Sequence, residues 1–401
     1  MRNRWAVLAL VSVARTAMGF QFQAVAAVGP FLVADLGLSY AQLGTLIGFY
    51  LLPGVFLALP GGLLAVRFGD RALVLGGLGL MTLGGAGLMT SRAFDLAAAS
   101  RLAAGAGGVL LNMQMAKIVT DWFVGRELRT ALGVMLATWP LGIGLALATL
   151  GGVAARTSWR VAVGSTGVYA AIALVLVLLL YRDPDRGGPA AGPPGWRVIT
   201  APELRLTVVA GVAWALLNMG FVGVLAFGPK LLIERGLSPA MAGLTVSWAS
   251  LVSIASVPLG GALLDRLRRR DTVVLLGIAG AGAASAALAL GEPAWLWSVL
   301  VGLLVAPAAG VVALPGEALS PASRSTGFGV FYTVYYAGMG VAPVLAGVLV
   351  DRTEAAAAAL WLAAAFWLLT VPAFWTFRAL QRRGCPAAGA CMPQCPRRRN
   401  R

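Results

Sequence analysis

Three basic residues stand inside long apolar stretches of this 401-residue chain: Arg15, Arg101 and Lys117. A basic side chain at the centre of an apolar segment costs about 2.5–3.5 kcal/mol on insertion scales, so each is a functional candidate. Arg15 is the most central. On a helix it shares a face with Gly19, Phe22 and Gln23, at i+4, i+7 and i+8, which makes a polar and sterically open stripe. No Asp or Glu falls deep in any apolar run, so no internal ion-pair partner for Arg15 is evident. An unpaired guanidinium beside a wet cavity favours an anionic solute; the bland alternative is that it bonds backbone carbonyls or snorkels. Arg101 and Lys117 lie nearer the ends of their run and could both snorkel. Arg101 shares a face with Gly105, Gly108 and Asn112, whereas Lys117 points about 160° away, beside Gln114.

Other residues could complete a binding surface. Trp214 and Asn218 are an i, i+4 pair, and Tyr332, Tyr335 and Tyr336 give one late apolar run three hydroxyls among aromatics. Aromatics at helical spacing are more often packing, but tyrosines away from a membrane interface tilt the reading toward cavity lining. Trp139 belongs to the same set through its repeat position. The chain has no histidine, and without a deep carboxylate the usual buried proton relays are missing. Exchange, uniport, or cotransport in which the solute carries the proton fit better, with Asp35 the remaining coupling candidate.

These residues sit in a chain that is 59% hydrophobic and 11% charged, too little charge to cover a soluble surface. Apolar runs of about 20 residues predict helices that cross a bilayer, and the alternation of a β-barrel strand does not appear. The spacing predicts twelve spans, at 5–28, 42–64, 72–90, 97–119, 130–153, 160–181, 205–228, 241–264, 272–290, 295–316, 326–350 and 355–377. The expected organisation is an amino-terminal six-helix bundle over 1–181, a cytoplasmic linker over 182–204, a second bundle over 205–378, and a basic, disordered tail over 379–401. Cys385, Cys391 and Cys395 all lie in that tail, so disulfides do not hold the body together, and no metal or cofactor is expected. The first apolar run is too long for a signal-peptide core and is expected to stay.

The net charge of +16 does not imply nucleic acid, because the basic residues are scattered through short loops. Most of them fall on the side of both termini; the opposite side holds only Arg92, Arg156, Arg160, Lys230, Arg235 and Arg352. That bias predicts cytoplasmic termini; the chain is further expected to lie in the inner membrane as a multi-pass protein contacting lipid and to work as a monomer.

The halves repeat at an offset of 199 residues. Gly29-Pro30 answers to Gly228-Pro229, Gly37-Leu38-Ser39 to Gly236-Leu237-Ser238, Gly44 to Gly243, and Arg67 to Arg266. Later the offset becomes 196, pairing Gly142 with Gly338 and Trp139 with Tyr335. Parallel repeats of six helices place a solute site between the halves near the midplane. At the first offset Arg15 maps to Trp214 and Gly19 to Asn218.

The stretch Gly261 to Arg270, with Asp265 and Arg266, resembles the loop motif of the major facilitator superfamily. Its first copy, Gly62 to Arg71, departs from it: Val66 stands where the Asp belongs and Asp70 where an Arg is usual. Arg101 to Gly107 resembles the fourth-helix motif, and Trp122-Phe123 with Arg126, Glu127 and Arg129 the loop after it. The stretches Arg15 to Gln23 and Leu38 to Gly44, and Lys117 before Asp121-Trp122-Phe123, look like the cyanate-permease-like branch. The resemblance implies an all-α membrane fold of two parallel six-helix repeats and transport of a small solute by alternating access. It also implies gating or coupling roles for Asp70, Arg71, Arg101, Lys117, Asp265 and Arg266. With Val66 lacking a carboxylate, either Asp70 substitutes in the first-half latch or Asp265 carries more of it. The rivals are a proton-linked exporter of drug-like compounds, which needs an acidic cavity, and a non-transporting receptor on the same fold. No nucleophile–base pair or phosphate-binding loop supports an enzyme.

Overall fold

The computed structural model describes residues 3–58, 60, 64, 67–123, 127–182, 199–267, 269–320 and 323–383, without the side chains of Arg129, Asp265 and Ser325. Among these, twelve helical segments are long and apolar enough to cross a membrane. They run Arg4–Ala27, Tyr40–Leu57, Asp70–Thr90, Phe94–Phe123, Thr130–Arg156, Trp159–Leu180, Ala201–Glu234, Pro239–Leu264, Arg270–Leu290, Ala294–Ala318, Thr326–Thr353 and Ala357–Arg383. They are called the first to twelfth spans below. An even number of crossings puts Asn3 and Arg383 on one face, here the terminal face; the opposite one is the distal face.

Local chemistry sets the span ends. Ser39 caps the second span through a full capping box with Gln42, and Ser238, at the same repeat position, caps the eighth. The loops before these caps turn at Gly37 (φ 62°) and Gly236 (φ 92°), again repeat partners, in the left-handed region that a side chain disfavours. Thr200 and Glu203 form a capping box that starts the seventh span four residues earlier than the apolar run does, inside the expected linker. The twelfth span likewise runs on to Arg383. Arg378 ties it to Asp271 (2.9 Å) and to Glu317, at the starts and ends of neighbouring spans. Polar caps and ion pairs thus extend helices past the apolar stretch that hydropathy registers. The rest of the expected linker (183–198) and the tail with its three cysteines lie outside the described residues.

Two spans are interrupted. The second breaks at Phe49–Leu52 before resuming at Pro53–Leu57, and the tenth runs as Ala294–Leu304, Ala308–Val312 and Leu314–Ala318. Pro53, Pro307 and Pro315 stand at the restarts, where the missing N–H costs nothing.

Helix packing follows the repeat. The first span lies on the fifth and sixth as the seventh lies on the eleventh and twelfth, and the third lies on the sixth as the ninth lies on the twelfth. The halves meet through the second span on the eleventh and the fifth on the eighth. Small residues set these approaches. A Cβ on Gly44 would lie 2.0 Å from the Pro343 carbonyl oxygen, and one on Gly243 would lie 2.1 Å from that of Leu147. Gly44 and Gly243 are partners at offset 199, and Leu147 and Pro343 at offset 196, so the two contacts are one contact repeated. Large apolar side chains such as Leu83, Leu179, Leu259 and Leu276 are left on the outside, as lipid-facing helices require.

Candidate functional site

Arg15 stands at the centre of a polar group between the halves. It is 9% exposed, and its Nη1 donates to Asn112 Oδ1 on the fourth span. The Tyr336 hydroxyl lies within hydrogen-bonding reach of the same Asn112 side chain. The hydroxyls of Tyr336, Tyr332 and Tyr335 all lie within electrostatic range of the guanidinium. Trp214 joins from the seventh span, its ring 6.2 Å from that of Tyr335. Four spans, two from each half, therefore converge on one side chain.

The elements explain the convergence. The break in the second span leaves Gly54 flat against the Tyr336 ring, where a Cβ would come within 2.4 Å of ring atoms. That contact, with Gly340 over Leu52, presses the eleventh span close enough to bring its tyrosines to the first. Among the described residues no carboxylate pairs with Arg15, and its Nε is buried without a hydrogen-bond partner. Ser12 Oγ, one turn earlier on the same helix, is buried and unpartnered too.

Six of the residues singled out in the sequence (Arg15, Asn112, Trp214, Tyr332, Tyr335 and Tyr336) thus come together. The other four make different contacts. Gly19 is a packing position rather than a cavity-lining one: a Cβ there would lie 2.5 Å from the Trp139 carbonyl oxygen, so it serves contact with the fifth span. Gln23 is turned away from Arg15, its Nε2 donating 2.8 Å to the Leu225 carbonyl in the other half. Asn218 donates 2.8 Å to the Trp214 carbonyl of its own helix. Trp139 stacks on Phe22 at 5.3 Å, forming a separate aromatic wall in the first half. A shared helical face selected Gly19 and Gln23, but neighbouring spans claim different parts of that face.

Arg101 is almost wholly buried and bonds three carbonyls, those of Leu46 (2.9 Å), Gln21 (3.0 Å) and Phe22 (3.0 Å). Its guanidinium also lies 4.5 Å from the Tyr50 ring centroid. It therefore fastens the fourth span to the first and second, reaching inward where the sequence equally allowed snorkelling. Lys117 is paired with buried Asp70 at 2.5 Å and with Asp121 at 3.8 Å. Arg71 donates 2.8 Å to the Leu178 carbonyl of the sixth span. Arg266 is exposed, and the Asp265 side chain lies outside the described residues, as do positions 62, 63, 65 and 66 of the first motif copy.

Two acids missed as buried groups are Asp70 and Glu203, each under 5% exposed at the start of its span. The expected spans began two residues after each, leaving both in loops. Glu203 accepts from Ser320 N (2.9 Å), Ser323 Oγ (2.7 Å) and both Thr200 donors, so it pins the loop before the eleventh span. The Thr-x-x-Glu spacing of its capping box was the signal available in the sequence. Asp35, the remaining coupling candidate, is surface-exposed and bonded by Arg160 (2.6 Å) and Trp159 (3.0 Å).

The halves are closed against each other at the distal face. Asp351, at the end of the eleventh span, accepts from the backbone N–H groups of Tyr40 (2.7 Å) and Ala41 (2.8 Å), at the start of the second. An acidic group there also meets the positive end of the helix dipole. Lys230 lies 4.3 Å over the Tyr40 ring and pairs with Glu234. Ser250 Oγ donates 2.8 Å to the Pro140 carbonyl across the fifth–eighth interface. Sequence reading did not find this clamp, because Asp351 and Tyr40 are far apart in the chain.

The sequence matches the Major Facilitator Superfamily over residues 11–305 and again over 219–388. It is 29% identical over 313 residues to a 3-(3-hydroxy-phenyl)propionate transporter of Escherichia coli (strain K12), covering 74% of each chain. It is also 25% identical over 286 residues to a probable nitrate/nitrite transporter, NarK2, of Mycobacterium tuberculosis, covering 69% of this chain and 70% of that one. Among solved structures, a bacterial homolog of the human lysosomal transporter Spinster, in an inward-facing and occupied conformation, superposes with a TM-score of 0.78 at 16% identity, over 96% of this chain and 100% of that one. The xylose transporter XylE from E. coli, inward open, gives 0.76 at 14% identity, over 94% and 96%. At such identities these likenesses speak for the fold alone. With twelve spans in two parallel repeats and a family match along most of its length, this multi-pass membrane chain belongs to the major facilitator superfamily of transporters.

Proposed function

We propose that the protein carries a small anionic solute across the inner membrane by alternating access, with Arg15 as the solute's charge partner. The observation that carries this reading is the buried Arg15 guanidinium, held between the halves with no carboxylate partner among the described residues. At an effective dielectric near 20, an anion about 4 Å away would gain roughly 4 kcal/mol, enough to help offset its desolvation. The solutes after which the two relatives are named, a hydroxyphenylpropionate and nitrate or nitrite, are anions. The stretches resembling the cyanate-permease branch agree with that class. The surplus of arginines at the terminal face supports cytoplasmic termini, which makes the distally closed arrangement inward-facing. Release of the Asp351 clamp and the paired glycine contacts would then open the site outward. On this reading the terminal-face groups Asp70, Arg71, Lys117, Asp265 and Arg266 act in inner gating, and Arg101 holds the scaffold around the site.

The test is uptake into proteoliposomes of a panel of small anions, by wild type and Arg15→Gln, with and without a pH gradient. Saturable uptake by wild type, with at least a hundredfold loss in the variant at unchanged folding, is the expected result. Unaltered uptake by Arg15→Gln would move the charge partner elsewhere, and no anion flux at all would overturn the reading.

A further inference from the structure

We infer that the anion is an arene-bearing monocarboxylate, whose carboxylate meets Arg15 and whose ring lies among Trp214, Tyr332 and Tyr335. This rests on the proposed role of Arg15 and narrows it by two independent features, the free edge of the guanidinium and the character of the walls.

The guanidinium comes first. Its Nη1 is taken by Asn112, while the Nε–Nη2 edge carries no hydrogen bond among the described residues. That edge presents two parallel N–H groups at the spacing of the two oxygens of a carboxylate. It carries one positive charge, and with no second cation beside it among the described residues the site suits a monoanion rather than a dicarboxylate. Asn112 holds the guanidinium at Nη1, with the Tyr336 hydroxyl beside the Asn112 side chain, so its orientation is set before a solute arrives.

The walls then decide between an inorganic and an organic anion. Around the tyrosines run aromatic contacts with centroids 5.0 Å (Tyr335–Tyr336), 6.2 Å (Tyr332–Tyr335) and 6.2 Å (Trp214–Tyr335) apart. Trp214 and Tyr335 are only half-buried, and Tyr332 is 36% exposed, so ring surface remains uncovered. A ring face carries the negative part of the quadrupole, which repels a compact anion lying against it but accepts another ring in offset or edge-on contact. A compact inorganic anion would thus gain from the one cation and the hydroxyl donors but leave the ring faces uncovered. A carboxylate joined to an arene separates the two demands, placing its charge on the cation and its ring on the rings. The repeat supports the same division, since Arg15 and Trp214 are equivalent positions on the first and seventh spans. One supplies the charge contact and the other the apolar one.

The test uses the purified full-length protein in proteoliposomes, with radiolabelled benzoate, phenylacetate, 3-phenylpropionate, acetate and nitrate as probes. Wild type is compared with Arg15→Gln, Trp214→Leu, Trp214→Phe and Tyr335→Phe, each first checked for a monodisperse peak and an unchanged melting temperature. The expected result is saturable uptake of at least one arene carboxylate and little of acetate or nitrate. Trp214→Leu should raise its KM about tenfold, and Trp214→Phe should restore it to within a few-fold, as a lost or kept ring contact requires. Tyr335→Phe, which keeps the ring and loses the hydroxyl, should raise KM less than Trp214→Leu does. Uptake of nitrate or acetate in preference to all three arene carboxylates would overturn this inference while leaving the anion reading intact. So would arene uptake whose KM is the same in wild type and Trp214→Leu. Should Trp214→Leu fail to fold, the selectivity of wild type and the Trp214→Phe KM decide the matter alone. Flux of none of the anions would overturn the proposed function itself.

Discussion

At the scale of single residues, the same side-chain type serves opposite ends in two neighbouring helices. Arg101 is buried with its hydrogen bonds made inside the chain, to three carbonyls and with a tyrosine ring beneath it. Arg15 is buried with one edge unmade. A buried cation with all its partners supplied fastens structure; one with an edge to spare is available to a ligand. The distinction predicts different phenotypes. Arg101→Lys cannot span three carbonyls from one ammonium and leaves at least one unpaired, so it should destabilise the protein by about 2–4 kcal/mol. A drop in melting temperature in detergent, with transport falling in proportion to folded protein, is the expected outcome. Arg15→Gln, by contrast, should leave the melting temperature nearly unchanged while transport is lost; equal melting behaviour of the two variants would contradict the contrast drawn here.

At the scale of elements, helix ends do much of the work that composition hides. The short helix Gly29–Leu36 follows the first span and is tied to the sixth by Asp35, which accepts from Arg160 and Trp159. The Arg160 hydrogen bond, with Trp159 second, holds the Asp35 carboxyl below the usual carboxylate range. The folded form thus binds its proton less readily than the unfolded chain. The stabilisation is therefore present at pH values above the ordinary carboxylate value and is lost as pH falls through the lowered folded value. Asp35→Asn should lower the melting temperature slightly at pH 7, and the difference from wild type should disappear in acid below the carboxylate range. A gap between the two proteins that widens toward acid would have the wrong sign. The breaks in the second and tenth spans belong to this scale as well. Pro53 and Pro307 look like ordinary apolar residues to a hydropathy count, yet they mark where the backbone turns.

At the scale of the whole molecule, the internal repeat is the organising fact. The contact of Gly44 with Pro343 and that of Gly243 with Leu147 are equivalents on the two sides of the pseudo-twofold axis. Both close the distal face, and both have backbone oxygen where a methyl group would go, so neither partner can yield by rotating a side chain. Gly44→Ala and Gly243→Ala should each hinder distal closure without unfolding either half, and the double variant should add little to the stronger single one. Reaction of a cavity cysteine with an impermeant thiol reagent, applied to the distal side in a background lacking the tail cysteines, should rise in each. Unchanged labelling would show that the halves close elsewhere. At the terminal face the second half's arginines around Arg266 are exposed.

How much of this was legible beforehand depended on whether the signal was local. Twelve apolar runs, the bias of the arginines and the repeat offset are properties of stretches no longer than a helix or of their comparison, and they set the class, the number of spans and the parallel repeat. The physical reason is that a bilayer forces each crossing to satisfy its own backbone, so each span is written out in full in the sequence. The residues of the Arg15 group were legible in kind, because an arginine amid apolar residues and three tyrosines in one run are uncommon on any reading. Their assembly was not: that Asn112 takes Nη1, that Tyr336 rests on Gly54, and that Gln23 is spent on Leu225 depend on how helices from two halves meet. Asp351 reaching Tyr40 across 311 positions of chain, and Asp70 buried beside Lys117, were likewise decided only when packing brought distant segments together. Helical periodicity fixes which residues share a face, and tertiary contact alone fixes which neighbour that face receives.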